Sequence, residues 1–346
     1  MCTYVILLNW NGRKDTIECL DSVFRLNYPD FRVVVCDNAS EDGSIEKIKS
    51  WARGEMIAKS ANPLFNGHAS TPVPKPIPYL EFKRAQAESG TVSHEARLIL
   101  IQTGANLGYA GGNNVGVRYA LSAPDCQFVW LLNNDTLVEP DALTELVAKA
   151  RTDSRIGAVG SVCYFADSPA TVQAWAGARV NLWIGFVRNS TEPRRDDWFH
   201  SLYGASMLVS RKAIDETGLL DEGFFLGWEE TEFCIRLRNK GWNLAAAPNS
   251  RVLHKVNAST GGNSLVLDRY FTTSGLRILR LHSPAPHLAM FLFLTMRFAR
   301  RFLRGQFANC GSVWTGIRDY RQMRAATPEM QAASSQETRN VRRANG

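Results

Sequence analysis

The chain has 346 residues, 45% apolar and 21% charged, enough for a large core in either two domains or one α/β domain with appendages. Its 26 Gly and 14 Pro exclude collagen-like and wholly disordered classes, and no window of ~20 uninterrupted apolar residues offers a transmembrane helix. The net charge of +7 is unevenly placed: from Arg269 onward there are 13 Arg, no Lys and 3 acids, while the preceding residues are close to neutral.

Residues 3–8 form a short apolar run that ends in Asn-Trp-Asn-Gly, which reads as a buried first strand and not as a secretory leader. Residues 15–26 carry apolar side chains at helical spacing (Ile17, Leu20, Val23, Phe24). A β-branched run at 31–36 then ends at Asp37-Asn-Ala-Ser40, and 41–51 reads as a helix. This β-α-β-α order predicts a mostly parallel sheet covered by helices. Residues ~54–95 interrupt it as a Pro-rich insertion, with a short edge strand at 79–82.

The alternation resumes with a strand at 98–102 and a Gly/Asn-rich loop, Asn106-Leu-Gly-Tyr-Ala-Gly-Gly-Asn-Asn114. A helix is predicted at 115–121, a strand at 128–132 that stops at Asn133-Asn134-Asp135, a helix at 140–150 and a strand at 157–164. Residues 165–200 look irregular and β-rich. Beyond them come a strand ending near 209, a helix from Arg211, the acidic stretch 224–238, and strands near 242–246 and 251–255. The domain reading is a catalytic domain over 1–268, a basic helical appendage over 269–325 and a disordered tail over 326–346. The seven cysteines are scattered without a CxxC, which suggests neither a disulfide framework nor a zinc site and fits a reducing cytoplasm.

In an open α/β sheet, ligands bind beyond the carboxyl ends of the strands. Four predicted strands end in polar residues: Asn9 with Asn11, Asp37 with Asn38 and Ser40, Asn106 with its glycines, and Asn133 to Asp135. One such end means only a turn or a cap, but four on one rim predict a polar cleft. GYAGGNN lacks GxGxxG spacing, and no GxxxxGK[ST] occurs, which argues against dinucleotide oxidoreductases and P-loop ATPases. Asp135 follows the apolar run FVWLL, where a carboxylate can hold Mg²⁺ or Mn²⁺; one Asp and the distant His254 do not by themselves define a metal site. Glu229, Glu230 and Glu232 lie among aromatics at a predicted helix start. They read either as complements to the helix dipole or as a base whose pKa an apolar mouth raises.

Taken together these segments resemble the inverting family-2 glycosyltransferases of GT-A fold, most closely the rhamnosyltransferase branch that builds bacterial cell-surface polysaccharides. VILLNWNG, CLDSV, VVVCDNASEDGS, NLGYAGGNN, WLLNNDT, GASMLVSR, GLLDEGFFLGWEETEFCIR and PNSRVLH occur in the family's order, across residues 3–258 apart from the insertion. The resemblance implies that Asp37 accepts the pyrimidine N3–H of a nucleotide and that Asn9 lies beside the base or ribose. Asn106 and Gly108 would close over the nucleotide-sugar, with Asn38, Asn114 and Asn133 on the donor side. Asp135 would bind a divalent metal, Mg²⁺ or Mn²⁺, with His254 completing the site. Glu230 would be the general base, with Glu229 beside it as the other candidate. Two departures stand out. The metal motif opens with the neutral Asn133, and the base element reads Glu-Glu-Thr-Glu where the family has Glu-Asp-x-Asp, moving the catalytic oxygen by ~1 Å unless the backbone compensates.

The implied function is inverting transfer of a sugar, rhamnose from dTDP-rhamnose first among donors, to a lipid-linked or polysaccharide acceptor. An inactive transferase-like scaffold or use of another UDP- or GDP-sugar are the alternatives. In the tail, Arg297, Arg300, Arg301 and Arg304 fall on one predicted helix face and Phe291, Phe298 and Phe302 on another. That pattern predicts contact with an anionic membrane surface, on the cytoplasmic face, or packing on the chain's own domain. A nucleic-acid partner is not expected, since no base-stacking or groove-reading module accompanies the arginines.

Overall fold

Strand sequences such as CTYVILLN and CQFVWLLN are apolar at nearly every position, which suits strands covered on both faces. The computed structural model of the protein describes residues 2–58, 73–90, 96–255 and 264–344, without the side chains of residues 264 and 326–344. The chain divides into two units. The first holds Met1–Asn181, Val187–Phe225 and Glu229–Gly262; the second holds Leu182–Phe186, Leu226–Trp228 and Asn263–Gly346.

The first unit opens with β1 (Cys2–Asn9), α1 (Arg13–Val23), β2 (Phe31–Asp37), α2 (Ser44–Arg53), β3 (Tyr79–Lys83), α3 (Arg84–Glu88) and β4 (Leu98–Gln102). It continues with α4 (Gly108–Ser122), β5 (Cys126–Asn133), β6 (Thr136–Val138), α5 (Ala142–Ala150) and β7 (Ile156–Phe165). Then come β8 (Val172–Trp175), β9 (Gly177–Asn181), β10 (Phe186–Asn189), β11 (Ser201–Leu202), β12 (Ser206–Ser210), α6 (Arg211–Thr217), α7 (Glu229–Asn239) and β13 (Asn243–His254). The main sheet runs β3-β4-β2-β1-β5-β12-β7-β13-β6, with β8 also on β7, and β10-β9-β11 form a small second sheet. β1, β2, β3, β4 and β5 are mutually parallel, β12 is antiparallel to both β5 and β7, and β13 is parallel to β7. The carboxyl ends of β1, β2, β4, β5 and β13 therefore lie on one rim.

Alternation along the strands supplies both faces of the core. Val5, Leu7, Val33, Val35 and Trp130 pack on one side with α1, α2 and α5; Tyr4, Ile6, Val34, Val129 and Leu131 pack on the other with α4 and α7. The predicted edge strand in the insertion is β3, parallel to β4 at the end of the sheet; residues 59–72 and 91–95 lie outside the described residues.

The start of α4 corrects an expectation. The Gly/Asn-rich stretch predicted as a loop forms the first turns of α4, which begins at Gly108 and not at 115. The small residues permit close packing: a Cβ on Gly112 would strike Leu8, and one on Gly116 would press on Cys36 and Ile6.

The second unit is helical: α8 (Ser264–His282), α9 (Pro286–Leu303) and α10 (Phe307–Ala344). It includes two short segments from earlier in the chain. The backbone of α10 runs to Ala344, and residues 345–346 lie outside the described residues. The single Arg face predicted for α9 is divided. Arg297 and Arg301 turn onto Asp268 of α8, Arg297 at 3.0 Å, while Arg300 and Arg304 are exposed. Asn309 Nδ2 also donates to Asp268 at 2.7 Å, and these partners hold the Asp268 carboxyl below its ordinary pKa despite burial. Among the described residues no helix is long and apolar enough to cross a membrane.

Candidate active site

Register brings the predicted residues together along the rim. Asn9 lies beside Asp37, Leu8 beside Asn133, and Asp37 beside Gln102. Asn9 is fully buried and acts as a strut: its Nδ2 donates to Asp37 Oδ1 at 2.6 Å and to Ser40 Oγ at 3.0 Å. The Ser40 N–H donates to the other Asp37 oxygen at 3.1 Å. Thr16 Oγ1 donates to Asn9 Oδ1 at 2.7 Å and accepts from Asn134 Nδ2 at 2.8 Å. A continuous chain of hydrogen bonds thus joins Asp37, on β2, to the residue just before Asp135.

Asn38, equally buried, holds the entry to α4. Its Nδ2 donates to Asn106 Oδ1 and to the Gly108 carbonyl, both at 3.1 Å, and its Oδ1 accepts from Thr103 Oγ1 at 3.2 Å. Gly108 has φ +72°, and a Cβ there would strike the carbonyl of Phe225. That same carbonyl accepts the Tyr109 N–H at 2.7 Å, so the start of α4 is tied to the chain that leads into α7. Asn114 follows about one turn and a half further along α4. It is buried within α4, where it holds Leu220 through both its N–H and its carbonyl and donates to Glu222 at 3.0 Å.

Asp135 and His254 meet because β6 pairs antiparallel with β13, with Thr136 opposite His254. Asp135 Oδ1 lies 3.3 Å from His254 Nε2, and both side chains are buried. The Lys255 N–H donates to the Asp135 carbonyl at 3.0 Å, and the Lys255 ammonium is bound by Asp15, at 2.7 Å, and Glu18 of α1. On the other ring nitrogen, Nδ1 lies 3.0 Å from Gln173 Oε1 and 3.5 Å from the Tyr203 hydroxyl.

The acidic stretch is α7 itself. The chain enters it through Gly227 and Trp228, both with left-handed φ (+80° and +76°), a costly conformation for Trp. Glu232 is taken up by Arg236 one turn later, with Nε–O distances of 2.8 and 2.9 Å. Glu229 is buried at the first turn. Glu230 sits against Gly204. Burial raises its pKa, partly offset by the N–H groups of Glu230 and Thr231. The Tyr109 hydroxyl is within 3.1 Å of Asn133 Oδ1 and 3.0 Å of the Gly204 carbonyl, bridging the Asn133–Asp135 motif to the wall beside Glu230. Burial, and after it the charges of Glu229, Glu230 and Asp135, push the Tyr109 pKa well up; burial, Cys163, Glu230 and Asp135 do the same to Tyr203. Asp37, Asn133, Asp135, Glu230 and His254 therefore share one neighbourhood. Tyr109, Tyr203, Gln173 and Thr16 belong to it as well. Sequence reading passed over them: Tyr109 sits within the quoted NLGYAGGNN segment without a distinguishing spacing, and Thr16, Gln173 and Tyr203 lie outside the quoted motifs.

The oxygen of Asp135 and the nitrogen of His254 form a donor set that suits a hard divalent cation. Among the described residues no group of three His, Cys, Asp or Glu side chains is arranged to hold a metal, so oxygens of a bound diphosphate and waters would have to fill the remaining positions.

Comparison with known proteins places these features. The family model described as "Glycosyltransferase like family 2" matches residues 80–270, more than half the chain, and "Glycosyl transferase family 2" matches residues 4–63. A low-salt glycan biosynthesis hexosyltransferase of Haloferax volcanii is 26% identical over 160 residues, 44% of this chain and 50% of that protein. N-acetylglucosaminyl-diphospho-decaprenol L-rhamnosyltransferase of Mycobacterium tuberculosis is 28% identical over 187 residues, 47% of this chain and 60% of that protein. The matches therefore span only half to three fifths of these relatives. Among solved structures, the mannosyltransferase PcManGT of Pyrobaculum calidifontis, in complex with GDP-Man and Mn²⁺, superposes with a TM-score of 0.51 at 16% identity, over 96% of this chain and 80% of that one. At that identity the likeness is one of fold, the mixed α/β GT-A architecture with its mostly parallel sheet. With the family model covering more than half its length, the chain belongs to glycosyltransferase-like family 2.

Proposed function

We propose that the protein is an inverting glycosyltransferase that moves a sugar, rhamnose in the first instance, from a nucleoside-diphosphate donor to a lipid-linked saccharide. The observation that carries this reading is the joining of the Asp135–His254 pair to Glu230 through Asn133, Tyr109 and Gly204 on the rim where Asp37 is also held. Asp37, its two oxygens fixed by Asn9 and Ser40, offers an acceptor for a pyrimidine N–H. Asp135 and His254 would hold Mg²⁺ or Mn²⁺, which when bound offsets the negative charge of the departing diphosphate.

Glu230 accepts the proton of the acceptor hydroxyl. The freed oxygen bonds to C1 of the sugar from the face opposite the nucleotide as the bond from C1 to the diphosphate oxygen breaks, which inverts the anomeric centre. The desolvation that raises the Glu230 pKa also makes its carboxylate a stronger base near neutral pH. The choice of dTDP-rhamnose and of a lipid-diphosphate-linked acceptor draws on the motif resemblance and on the activity named for the Mycobacterium tuberculosis relative. Such an acceptor places the protein at the inner face of the cell membrane, with its basic helical unit toward the lipid.

A thermal-shift screen tests the reading, because a ligand that binds only the native state raises its stability by mass action. dTDP-rhamnose, UDP-GlcNAc and GDP-mannose are compared with and without Mn²⁺. The expected result is a rise in Tm that needs both nucleotide and Mn²⁺, is largest for dTDP-rhamnose and is lost in Asp135→Ala. No stabilisation by any of the three overturns the transferase reading. A larger rise with another sugar overturns only the choice of donor.

A further inference from the structure

Gln173 lies in the stretch that looks irregular in sequence, and its position in the sheet is unusual. β8 runs antiparallel to β7 with Cys163 opposite Ala174 and Tyr164 opposite Val172, so Gln173 is the extra residue of a β-bulge. Bulges re-aim side chains near functional sites. β13 lies along the other edge of the same part of β7, with Phe165 opposite His254. From this bulge the Gln173 amide reaches His254, where its Oε1 lies 3.0 Å from Nδ1.

We infer that Gln173 is a positioning residue that accepts from His254 Nδ1 and so fixes the ring with its hydrogen on that nitrogen. An amide oxygen carries no hydrogen, so at 3.0 Å the ring nitrogen must supply it. In the neutral ring Nε2 is then the lone-pair nitrogen, and it lies 3.3 Å from Asp135 Oδ1. An acceptor facing an acceptor is unfavourable unless a cation lies between them, and this is the arrangement a metal-binding pair requires. The competing arrangement has the Tyr203 hydroxyl, 3.5 Å away, donating to Nδ1. Nε2 would then carry the hydrogen and donate it to Asp135, occupying both groups. The shorter Gln173 contact selects against that state. The tautomer assignment stands on this geometry alone; its purpose rests on the proposed metal role of Asp135 and His254.

Two measurements test it. The ring tautomer is read directly by long-range ¹H–¹⁵N correlation of the ¹⁵N-labelled full chain at pH 8, with His254 identified among the 6 histidines by its loss in His254→Gln. The Nδ1–H pattern is expected in the wild type and in Tyr203→Phe, and its loss in Gln173→Leu. An Nε2–H or doubly protonated His254 in the wild type overturns the inference, as does an unchanged pattern in Gln173→Leu. If Gln173→Leu does not fold, the wild-type spectrum still decides. Mn²⁺ affinity is then measured by water-proton relaxation with UDP, GDP and dTDP in turn. Gln173→Leu is expected to bind roughly 10- to 100-fold more weakly, as for losses of partners to metal-binding histidines elsewhere, and Gln173→Glu to recover binding. Equal Mn²⁺ affinity in Gln173→Leu overturns the positioning role. A wild type with the Nδ1–H ring that binds no Mn²⁺ overturns instead the metal reading of Asp135 and His254.

Discussion

Glu230 and Glu232 are two residues apart, yet their environments separate them. Glu232 is paired with Arg236, whereas Glu230 stands in a desolvated position against Gly204. The sequence alone leaves both readings of this acidic stretch open; Glu230 is the residue proposed here as the base. Replacing Glu230 by Gln keeps the shape and removes the base, so transfer is expected to fall by about 10²–10⁴-fold with nucleotide binding retained. Initial-rate assays beside binding titrations check this, and full activity in the variant removes Glu230 from the role. The raised pKa also has a sign in stability. The native state favours the protonated carboxyl, so ionisation costs stability once the pH exceeds the value at which the unfolded chain's Glu titrates. Glu230→Gln is therefore expected to raise Tm at neutral pH and to leave it unchanged in acid. Thermal melts across pH check the difference. Asp135 and His254, far apart in sequence, were legible only through the order of motifs, because no local spacing encodes the β6–β13 pairing that joins them.

At the level of elements, the alternating strands and helices and the polar strand ends were readable, since both follow from local periodicity. The start of α4 was not. Four glycines and two asparagines in its first nine residues argue against a helix by propensity, and the packing of those small residues on Leu8, Ile6 and Cys36 overrides it. The buried serines were equally silent. Trp130 Nε1 donates to Ser206 Oγ at 2.9 Å, the Ser206 and Ser161 hydroxyls lie 2.7 Å apart, Ser161 and Ser250 2.8 Å, and Ser250 Oγ donates to the Ala142 carbonyl at 2.9 Å. This relay crosses β5, β12, β7 and β13 and ends on α5, with each hydroxyl satisfied. Ser161→Ala removes its middle, so that Ser206 and Ser250 each lose one of their two hydrogen bonds in the buried interior. A loss of about 1–3 kcal/mol is expected, measurable as a lower denaturant midpoint with an unchanged m-value. An unchanged midpoint would show that the relay contributes nothing net.

For the whole molecule, the charge asymmetry was legible but its disposition was not. Helical periodicity places four arginines on one face without showing what that face meets. Two of them are engaged by Asp268, and the exposed remainder, Arg300 and Arg304, accompanies Phe302, Leu303 and Phe307 at the turn between α9 and α10, which are 66%, 84% and 64% exposed. Large apolar side chains beside unshielded cations suit insertion at an anionic bilayer surface. Co-sedimentation with phosphatidylglycerol vesicles at low salt is expected for the wild type and is expected to be lost in Phe302→Asp/Leu303→Asp. Sedimentation that persists in the variant would place the lipid contact elsewhere. The seven free thiols offer a separate handle on the two units. Six are buried in the first unit, and desolvation pushes Cys19, Cys36, Cys163 and Cys234 up to about 12, leaving almost no thiolate to react at neutral pH. Cys310, partly exposed, lies in the second unit. Timed alkylation read by mass spectrometry would therefore label Cys310 first, and the delay before the other six react would clock the opening of the first unit without any engineered probe.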